Sequence, residues 1–275
     1  MTIKEQTKKL WRETFPDTEE FVDFYFEKVY SDEINYVIEE NNRVIAALQA
    51  IPFDFKTDDK ILKTAYLSGI CTDKEYQKQG FMRKLLEKTH NILKLKGFDA
   101  TFLIPAEKYL FDIYQKFGYE TFFYKATKFH LIENIDNHKF TIEILNKNEK
   151  DIVFEYYQKR QQELDCAVLC SKNYFETIFD YFILDKKKIV IAKDRGKMVG
   201  IAFVSGQGKI LQSFCDNSEI KTEIVNFIAQ LFNLQEVTEK IFVKSNIPYG
   251  MLHFLNKSEI STEYYTPQMP IMMDE

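Results

Sequence analysis

Apolar residues recur at helical spacing through the first 30 positions of the chain. Their series runs from Ile3 to Tyr30 and is interrupted at Pro16. A proline ends a helix because it lacks a backbone N–H and its ring clashes with the preceding turn. The segment therefore predicts two amphipathic helices that are separated at Pro16.

The apolar spacing changes to that of strands after this segment. NYVIEE and the run VIAALQAI flank the pair Asn41-Asn42, and asparagine tolerates the positive φ angles of a tight hairpin turn. The run TAYLSGICT, from Thr64 to Thr72, predicts a further strand.

The following segments alternate between helical and strand-like patterns. A polar loop leads into a helix that begins near Phe81 and ends at Gly97, a typical C-terminal cap. The strand ATFLIP, the helix KYLFDIYQK and the strand FFYKATKFHL follow. The predicted order is ααββ followed by βαβαβ, which indicates an α/β (α+β) fold with a mixed sheet flanked by helices.

The second half of the chain repeats this plan in a weaker form. It contains a hairpin around residues 194–196, the strand ILQSFC, the helix EIKTEIVNFIAQLF, the strand KIFVKS and a helix that opens at Pro248. A length of 275 residues favours two domains at roughly 150 residues each. Because residues 132–139 are polar and lack periodicity, we expect domains at residues 1–133 and 138–275.

Charge and hydropathy exclude several classes of protein. The net charge of −5 argues against general affinity for nucleic acid, and it suits a small cationic substrate. A run of about 18 apolar residues, as a membrane span needs, is absent. The N-terminus has no apolar run after its charges, so we expect a cytoplasmic protein without a signal peptide.

The four cysteines do not have the spacing of a metal site. Two of them, Cys166 and Cys170, are four residues apart, and no histidine lies near them in the sequence. We expect reduced, mostly buried thiols and no metal.

A single glycine, Gly80, lies in the loop between the predicted strand TAYLSGICT and the following helix. The first backbone N–H groups of a helix lack partners and carry partial positive charge, so they attract an anion. A diphosphate must approach the backbone closely, and Gly80 leaves room for it. Lys78 and Arg83 lie on either side of Gly80 and would add positive charge. The alternative is that Gly80 merely begins the helix.

Two sequence motifs, one in this loop and one after the next strand, resemble those of a known family. The stretch QKQGFM (residues 77–82) is similar to the Q/R-x-x-G-x-G/A signature of the GNAT superfamily of acyl-CoA N-acyltransferases, with Met82 in its last position. The stretch YQKFGY (residues 114–119) is similar to that family's Y-x-x-x-G-[FY] motif. The resemblance covers roughly residues 3–131, and the tandem plan resembles the enhanced intracellular survival (Eis-like) acetyltransferases, without their sterol-carrier-like third domain.

The resemblance implies tandem GNAT folds with a catalytic first copy and a degenerate second copy. It also implies acetyl-CoA (coenzyme A) as the cofactor. The strand would offer its backbone to the pantetheine arm, and the loop would hold the pyrophosphate. The implied cofactor-binding residues are Ile70, Cys71, Thr72, Gln77, Lys78, Gln79, Gly80, Phe81, Met82 and Arg83.

The same resemblance assigns the catalytic groups. Tyr114 would give its proton to the departing thiolate, because a neutral phenol is a competent donor. A backbone N–H near Cys71 or Thr72 would polarise the thioester carbonyl. Glu107 is a second catalytic candidate, which either contacts the cofactor, acts through water or caps a helix.

The general base stays open at this stage. Asp17 and Glu20, at the predicted helix corner, either attract the charge of the amine or belong to a solvated face. His90 and His253 have no partner at catalytic spacing, so we interpret both as structural.

The predicted function is acetyl-CoA-dependent N-acetyl transfer to a primary amine of a small cationic molecule or a lysine side chain. The alternative is a non-catalytic acyl-CoA-binding sensor module. The second half lacks a glycine in the matching segment FCDNSEIKTEI, so we expect it to bind no cofactor and to complete the acceptor pocket or a homo-oligomer interface. We expect neither a nucleic acid nor a membrane as partner.

Overall fold

The chain divides into two compact units that interleave along the sequence. The computed structural model describes residues 1–57, 60–133, 138–256, 266–269 and 271. Unit 1 comprises Met1–Phe123 and Pro248–Tyr264, and unit 2 comprises Tyr124–Ile247 and Tyr265–Glu275. Residues 134–137 of the predicted linker lie outside the described residues.

The first half of the chain has the predicted order of helices and strands. Its elements are α1 (Ile3–Thr14), α2 (Glu19–Lys28), β1 (Asn35–Glu40), β2 (Arg43–Lys56), β3 (Ile61–Thr72), α3 (Phe81–Leu95), β4 (Ala100–Leu103), α4 (Lys108–Gln115) and β5 (Glu120–Leu131). The prediction of two helices, then strands, then alternating helices and strands is confirmed.

The second half supplies the remaining elements. They are β6 (Thr141–Ile144), α5 (Lys150–Gln162), β7 (Ala167–Leu169), α6 (Lys172–Leu184), β8 (Lys188–Asp194), β9 (Lys197–Val204), β10 (Ile210–Cys215), α7 (Ser218–Phe232), β11 (Glu236–Phe242) and β12 (Pro248–Phe254). The mixed α/β fold class, with helices flanking mixed sheet, is confirmed.

The break between α1 and α2 follows from local chemistry. Phe15 precedes the proline and is extended, with φ −108° and ψ 144°, as the residue before a proline prefers. Thr18 then caps α2 by accepting a hydrogen bond from the backbone N–H of Phe21. The indole Nε1 of Trp11, on α1, donates to Asp17 Oδ2 at 2.7 Å. This hydrogen bond ties α1 to the segment that leads into α2.

In unit 1 the strands follow the order β1-β2-β3-β4-β12. The β1/β2, β2/β3 and β4/β12 pairs are antiparallel, and β3/β4 is parallel. One core, on the α3 and α4 side of the sheet, contains Leu48, Leu85 and Tyr114, and a smaller core beneath α1 contains Leu10 and Cys71. The sheet thus separates the side chains of neighbouring residues in β3.

The predicted helix at Pro248 is wrong, because this segment forms strand β12. Met251 pairs with Leu103 and is buried in the unit 1 core. A proline suits the first position of a helix and of a strand equally, so the local sequence does not distinguish them. Unit 1 accordingly includes the segment Pro248–Tyr264, which the sequence-based boundary assigns to the second domain.

In unit 2 the strands follow the order β5-β11-β10-β9-β8-β6. The predicted hairpin between β8 and β9 is confirmed, and its turn residues Arg195 and Gly196 have φ angles of 47° and 82°. Helix α7 packs with these strands around Ile224 and Ile228. Among the described residues, no helix is long and apolar enough to cross a membrane.

Truncating Met251 should destabilise unit 1. Met251 is 2% exposed, and replacing a buried Met by Ala typically costs about 2–5 kcal/mol of unfolding free energy. Ile61, on β3, is 51% exposed, so Ile61→Ala should cost less than about 0.5 kcal/mol. Urea unfolding of both variants measures the difference, and equal stabilities would contradict the placement of β12 in the core.

Candidate active site

The loop between β3 and α3 is held by its own polar side chains. Asp73 Oδ1 accepts the backbone N–H of Glu75 at 3.0 Å, and Arg43 forms ion pairs with both carboxylates. Gln77 Nε2 donates to the carbonyl of Thr72 at 3.2 Å, and Gln79 Nε2 donates to that of Glu75 at 2.8 Å. These side-chain hydrogen bonds and ion pairs hold the conformation of the loop.

Gly80 begins α3 in a conformation that favours glycine. Its φ is 85°, and Lys78 two residues earlier also has a positive φ of 61°. A Cβ at Gly80 would have nothing within 4 Å, so the space in front of the helix is open. Gly80 is the N-cap residue and makes no side-chain cap, and the described residues show no hydrogen bond from the first N–H groups of α3 to another side chain. The first N–H groups of this helix are therefore left for an external acceptor, as an anion site requires.

Beside this loop, β3 presents an open edge. Its pairing with β4 covers Thr64, Ala65 and Tyr66 in the described part of the sheet, whereas its pairing with β2 continues to Thr72. The β4 side of β3 is thus unpaired from Leu67 to Thr72 within the described sheet. Unpaired backbone groups along such an edge can bind an extended amide chain in the manner of a further strand.

The two motifs seen in the sequence meet in the same core. The guanidinium of Arg83 lies over the ring of Phe117, 4.9 Å from its centroid. Phe81 and Tyr114 are buried in one cluster, and Ile70 packs against it. The loop motif and the α4 motif therefore lie on the same side of the unit 1 sheet.

Tyr114 combines a buried ring with an unused hydroxyl. Its ring packs edge-on to Tyr119, with centroids 5.9 Å apart. Within the part of the chain that the structure describes, its hydroxyl makes no hydrogen bond. Burial raises the pKa of Tyr114 well above its ordinary value, and Tyr109 adds to this shift. The phenol consequently keeps its proton at pH values where an alkylamine, with a pKa of about 10.4, is already losing its own.

A family model matches the part of the chain that contains the loop and Tyr114. Residues 3–122 match the acetyltransferase (GNAT) domain family. The match includes the loop, Gly80 and Tyr114, and acetyltransferases of this family use acetyl-CoA. No curated protein matches the sequence in the corresponding search.

Solved structures with the same fold cover nearly the whole chain. A conserved protein from Enterococcus faecalis V583, described as a probable N-acyltransferase, aligns with a TM-score of 0.76 at 15% identity, over 92% of this chain and 70% of its own. A GCN5-related N-acetyltransferase from Anabaena variabilis aligns with a TM-score of 0.74 at 17% identity, over 92% and 70%. Eis1 from Mycobacterium abscessus aligns with a TM-score of 0.62 at 10% identity, over 92% and 71%.

The residues of the GNAT segment fit the diphosphate of coenzyme A. The positive φ and open front of Gly80 allow close approach to the backbone, and Lys78 and Arg83 are exposed on either side of it. Phe81 and Met82 instead direct their side chains into the core, so only their backbone N–H groups are candidates for binding. Met82 in the last signature position is compatible with this, because its side chain does not occupy the open space.

The three predicted cofactor-binding residues of β3 lie in different surroundings. Ile70 packs toward the α3 and α4 core, whereas the Cys71 side chain lies in the smaller core beneath α1. Burial raises the pKa of the Cys71 thiol to about 12. Because the thiolate is the nucleophilic form, Cys71 can contribute its backbone but not a reactive sulfur. Thr72 is half-buried, and its carbonyl is taken by Gln77.

Glu107 is the N-cap residue of α4, but its side chain makes no capping hydrogen bond. It is exposed, with φ −128° and ψ 148°. Asp17 is also exposed, yet one of its oxygens is occupied by the Trp11 indole, and Glu20 is exposed on α2. Glu107 and Glu20 therefore keep exposed carboxylates, whereas Asp17 holds the helix corner.

The two histidines lie in unit 1 beside Tyr119, on whose ring Tyr114 also packs. Their rings stack with centroids 4.6 Å apart, and His90 Nε2 is 2.9 Å from the Tyr119 hydroxyl. Burial lowers the pKa of His90 to about 3, so this ring stays neutral. The two histidines line a cleft of about 250 Å³ together with Glu87, Asn91, Lys94 and Leu255, and this lining includes none of the predicted site residues.

Sequence reasoning missed a bulge in β3. Ala47 pairs with Cys71 and Gln49 pairs with Ser68, so two residues of β3 stand opposite Leu48 alone. Gly69, the first of these two, has a φ of 60°. An isolated glycine within a strand pattern is a typical bulge signal, and TAYLSGICT contains one.

Cys71 should resist alkylation in the folded protein. At about pH 8 its raised pKa leaves little thiolate, so we expect iodoacetamide to react at least about 100-fold more slowly than with the same cysteine in urea. Peptide mass spectrometry after timed labelling measures this ratio. Similar rates in the two states would show that the thiol is accessible and ionised, contrary to its placement.

Proposed function

We propose that this protein is an acetyl-CoA-dependent N-acetyltransferase. The acceptor is a primary amine of a small cationic molecule or of a lysine side chain, and the amine attacks the thioester directly. The observation that carries the proposal is the continuity of the open β3 edge with the uncapped N-terminus of α3. Together they offer backbone groups for an extended amide chain and then for a diphosphate.

The bound cofactor would supply an acyl thioester. Gly80, with the N–H groups of the first turn of α3, would bind its diphosphate, and Lys78 and Arg83 would add positive charge. The β3 backbone from Ile70 to Thr72 would hold the pantetheine arm, and an N–H at its end would polarise the carbonyl.

Tyr114 is the proposed proton donor. As the acceptor nitrogen forms its bond to the acyl carbon and the carbon–sulfur bond breaks, the Tyr114 hydroxyl gives its proton to the departing sulfur. Its raised pKa keeps the donor protonated in the alkaline range that favours a neutral amine. Glu107 is the carboxylate proposed to receive the proton lost by the amine through water, since its side chain is not used in capping.

Unit 2 supports the proposal of a degenerate second copy. Its helix α7 occupies the position in the element order that α3 has in the first half, following a hairpin and a strand. Asn217, however, caps α7 and accepts the N–H of Ile220 at 3.0 Å. The helix start is thus satisfied internally, which supports an Eis-like tandem plan in which only the first copy holds the cofactor.

The second half is proposed to complete the acceptor pocket or an oligomer interface. The protein is proposed to work in the cytoplasm, in line with the absence of a membrane-spanning helix among the described residues. Removing the whole second half, residues 138–275, would also remove β12 from unit 1, so point substitutions are the better tests.

Gly80→Trp should abolish acetyl-CoA binding, because the indole would fill the open space in front of α3. Gly97→Trp is the matched control, since Gly97 also has a positive φ, of 76°, and also has nothing within 4 Å of a Cβ. Calorimetric titration with acetyl-CoA should show an affinity at least about 100-fold weaker for the first variant and near-natural affinity for the second. Natural protein that binds no acetyl-CoA would overturn the proposed function.

Tyr114→Phe should lower kcat by about 100-fold and leave acetyl-CoA affinity unchanged, because it removes only the proton donor. Tyr109→Phe is the control on the same helix, where Tyr109 is 62% exposed and Tyr114 is 7% exposed. Release of coenzyme A thiol in the presence of a panel of amines measures turnover. Unchanged turnover in Tyr114→Phe would remove the acid assignment, and binding without any turnover by the natural protein would favour the sensor module.

A further inference from the structure

The bulge in β3 is supported from behind by two side chains of unit 1. A Cβ placed on Gly69 would lie 2.1 Å from Cζ3 of Trp11 and 2.5 Å from Oε1 of Gln49. Both distances are far below contact, so the backbone at Gly69 touches these groups directly. Its φ of 60° adds a second reason why other residues are excluded.

Trp11 forms a rigid wall at this point. It is buried, and its Nε1 donates to Asp17 Oδ2 at 2.7 Å. Its ring packs against Tyr25 and Phe26, with centroids 4.6 Å and 5.7 Å away. The indole therefore has contacts on several sides and cannot turn away from Gly69 without breaking them.

Gln49 lies on β2 next to the bulge, where it pairs with Ser68, and it is completely buried. Its Nε2 donates to Asn35 Oδ1 at 2.9 Å, and Asn35 Nδ2 lies 3.1 Å from both Thr7 Oγ1 and the Tyr30 hydroxyl. These bonds determine the direction of the Gln49 amide. Its Oε1 is then held toward Gly69, where it has no hydrogen-bond partner among the described residues.

A buried acceptor without a partner is unfavourable, so its retention needs a reason. The atoms beside it are those of the bulge, and a bulge changes the direction in which the following strand residues present their backbone. Those residues, Ile70 to Thr72, form the open edge proposed to bind the acyl-pantetheine arm. The geometry beside Gly69 thus decides where the polarising N–H points.

We propose that Gln49 and Trp11 are positioning residues for acyl transfer, which hold the β3 bulge so that the backbone after Gly69 meets the thioester. The proposal rests on the proposed function, because it concerns the same site. Both side chains meet β3 at Gly69, and in this proposal both act through its backbone.

Gln49→Met tests this proposal, since methionine has nearly the same length but lacks both polar atoms. The matched control is Thr64→Val, which also removes a buried hydrogen bond, from Thr64 Oγ1 to the Phe53 carbonyl at 2.8 Å, but acts before the bulge on the same strand. Fluorescence of Trp11, the one tryptophan in the chain, verifies that each variant keeps its packed corner.

Two measurements are made on the natural protein and both variants. The first is hydrogen exchange of the backbone amides of residues 67–72, which needs no activity. We expect Gln49→Met to exchange at least about tenfold faster than the natural protein and Thr64→Val to differ by less than about twofold. The second is steady-state kinetics, where we expect kcat of Gln49→Met to fall at least about tenfold while KM for acetyl-CoA changes by less than about twofold.

The outcomes separate this inference from the proposed function. The positioning role would be overturned if Gln49→Met had the same amide exchange rates as the natural protein, or a kcat within about twofold of that of the natural protein. An equal loss of kcat in Thr64→Val would overturn it too, because the effect would then be general destabilisation. If the natural protein transfers no acetyl group, the proposed function fails. Slow amide exchange in the natural protein and fast exchange in Gln49→Met would even then support the conclusion that Gln49 stabilises the bulge.

Discussion

The contact between the Trp11 ring and the backbone of Gly69 constrains strand β3 where it approaches the candidate site. With a Cβ at 2.1 Å from the ring, only glycine fits there, and β3 bulges at this residue. The strand keeps its pairing with β2 beyond the bulge, but its described pairing with β4 ends at Tyr66. The β4 side of β3 is open beyond that pair in the described part of the sheet, because β4 ends at Leu103, and the open edge leads to the loop before Gly80.

The loop shows how a protein can leave backbone groups available without losing order. Its side chains satisfy one another and the end of β3, through Gln77, Gln79 and the Asp73 cap. Two residues, Lys78 and Gly80, accept positive φ angles, and strain of this kind is typical of ligand-binding turns. The contrast with Asn217, which caps α7, indicates how a single side chain can close such a helix start.

Burial raises the pKa of both Cys71 and Tyr114, but the chemical consequences for the two side chains are opposite. It suppresses the Cys71 thiolate, so this sulfur is chemically silent, and it keeps the Tyr114 phenol protonated and therefore useful as a donor. The alternation of side chains along β3 separates Ile70 from Cys71 on the two faces of the sheet. Strand β3 thereby contributes side chains to two cores, and its backbone is the part proposed to bind the cofactor.

The sequence by itself determined the order of elements in the first half, the loop at Gly80 and the pairing of that loop with the Tyr114 motif. These features are local, since helix period, turn residues and short motifs are encoded within a few positions. The glycine inside TAYLSGICT is a typical bulge signal, but the sequence does not show which side chains contact it. Only the tertiary structure brought Trp11 and Gln49 to Gly69, because they lie 58 and 20 residues away along the chain. It also decided that the segment from Pro248 is a strand of unit 1, since pairing with β4 supplies the hydrogen bonds and burial that a local pattern cannot specify.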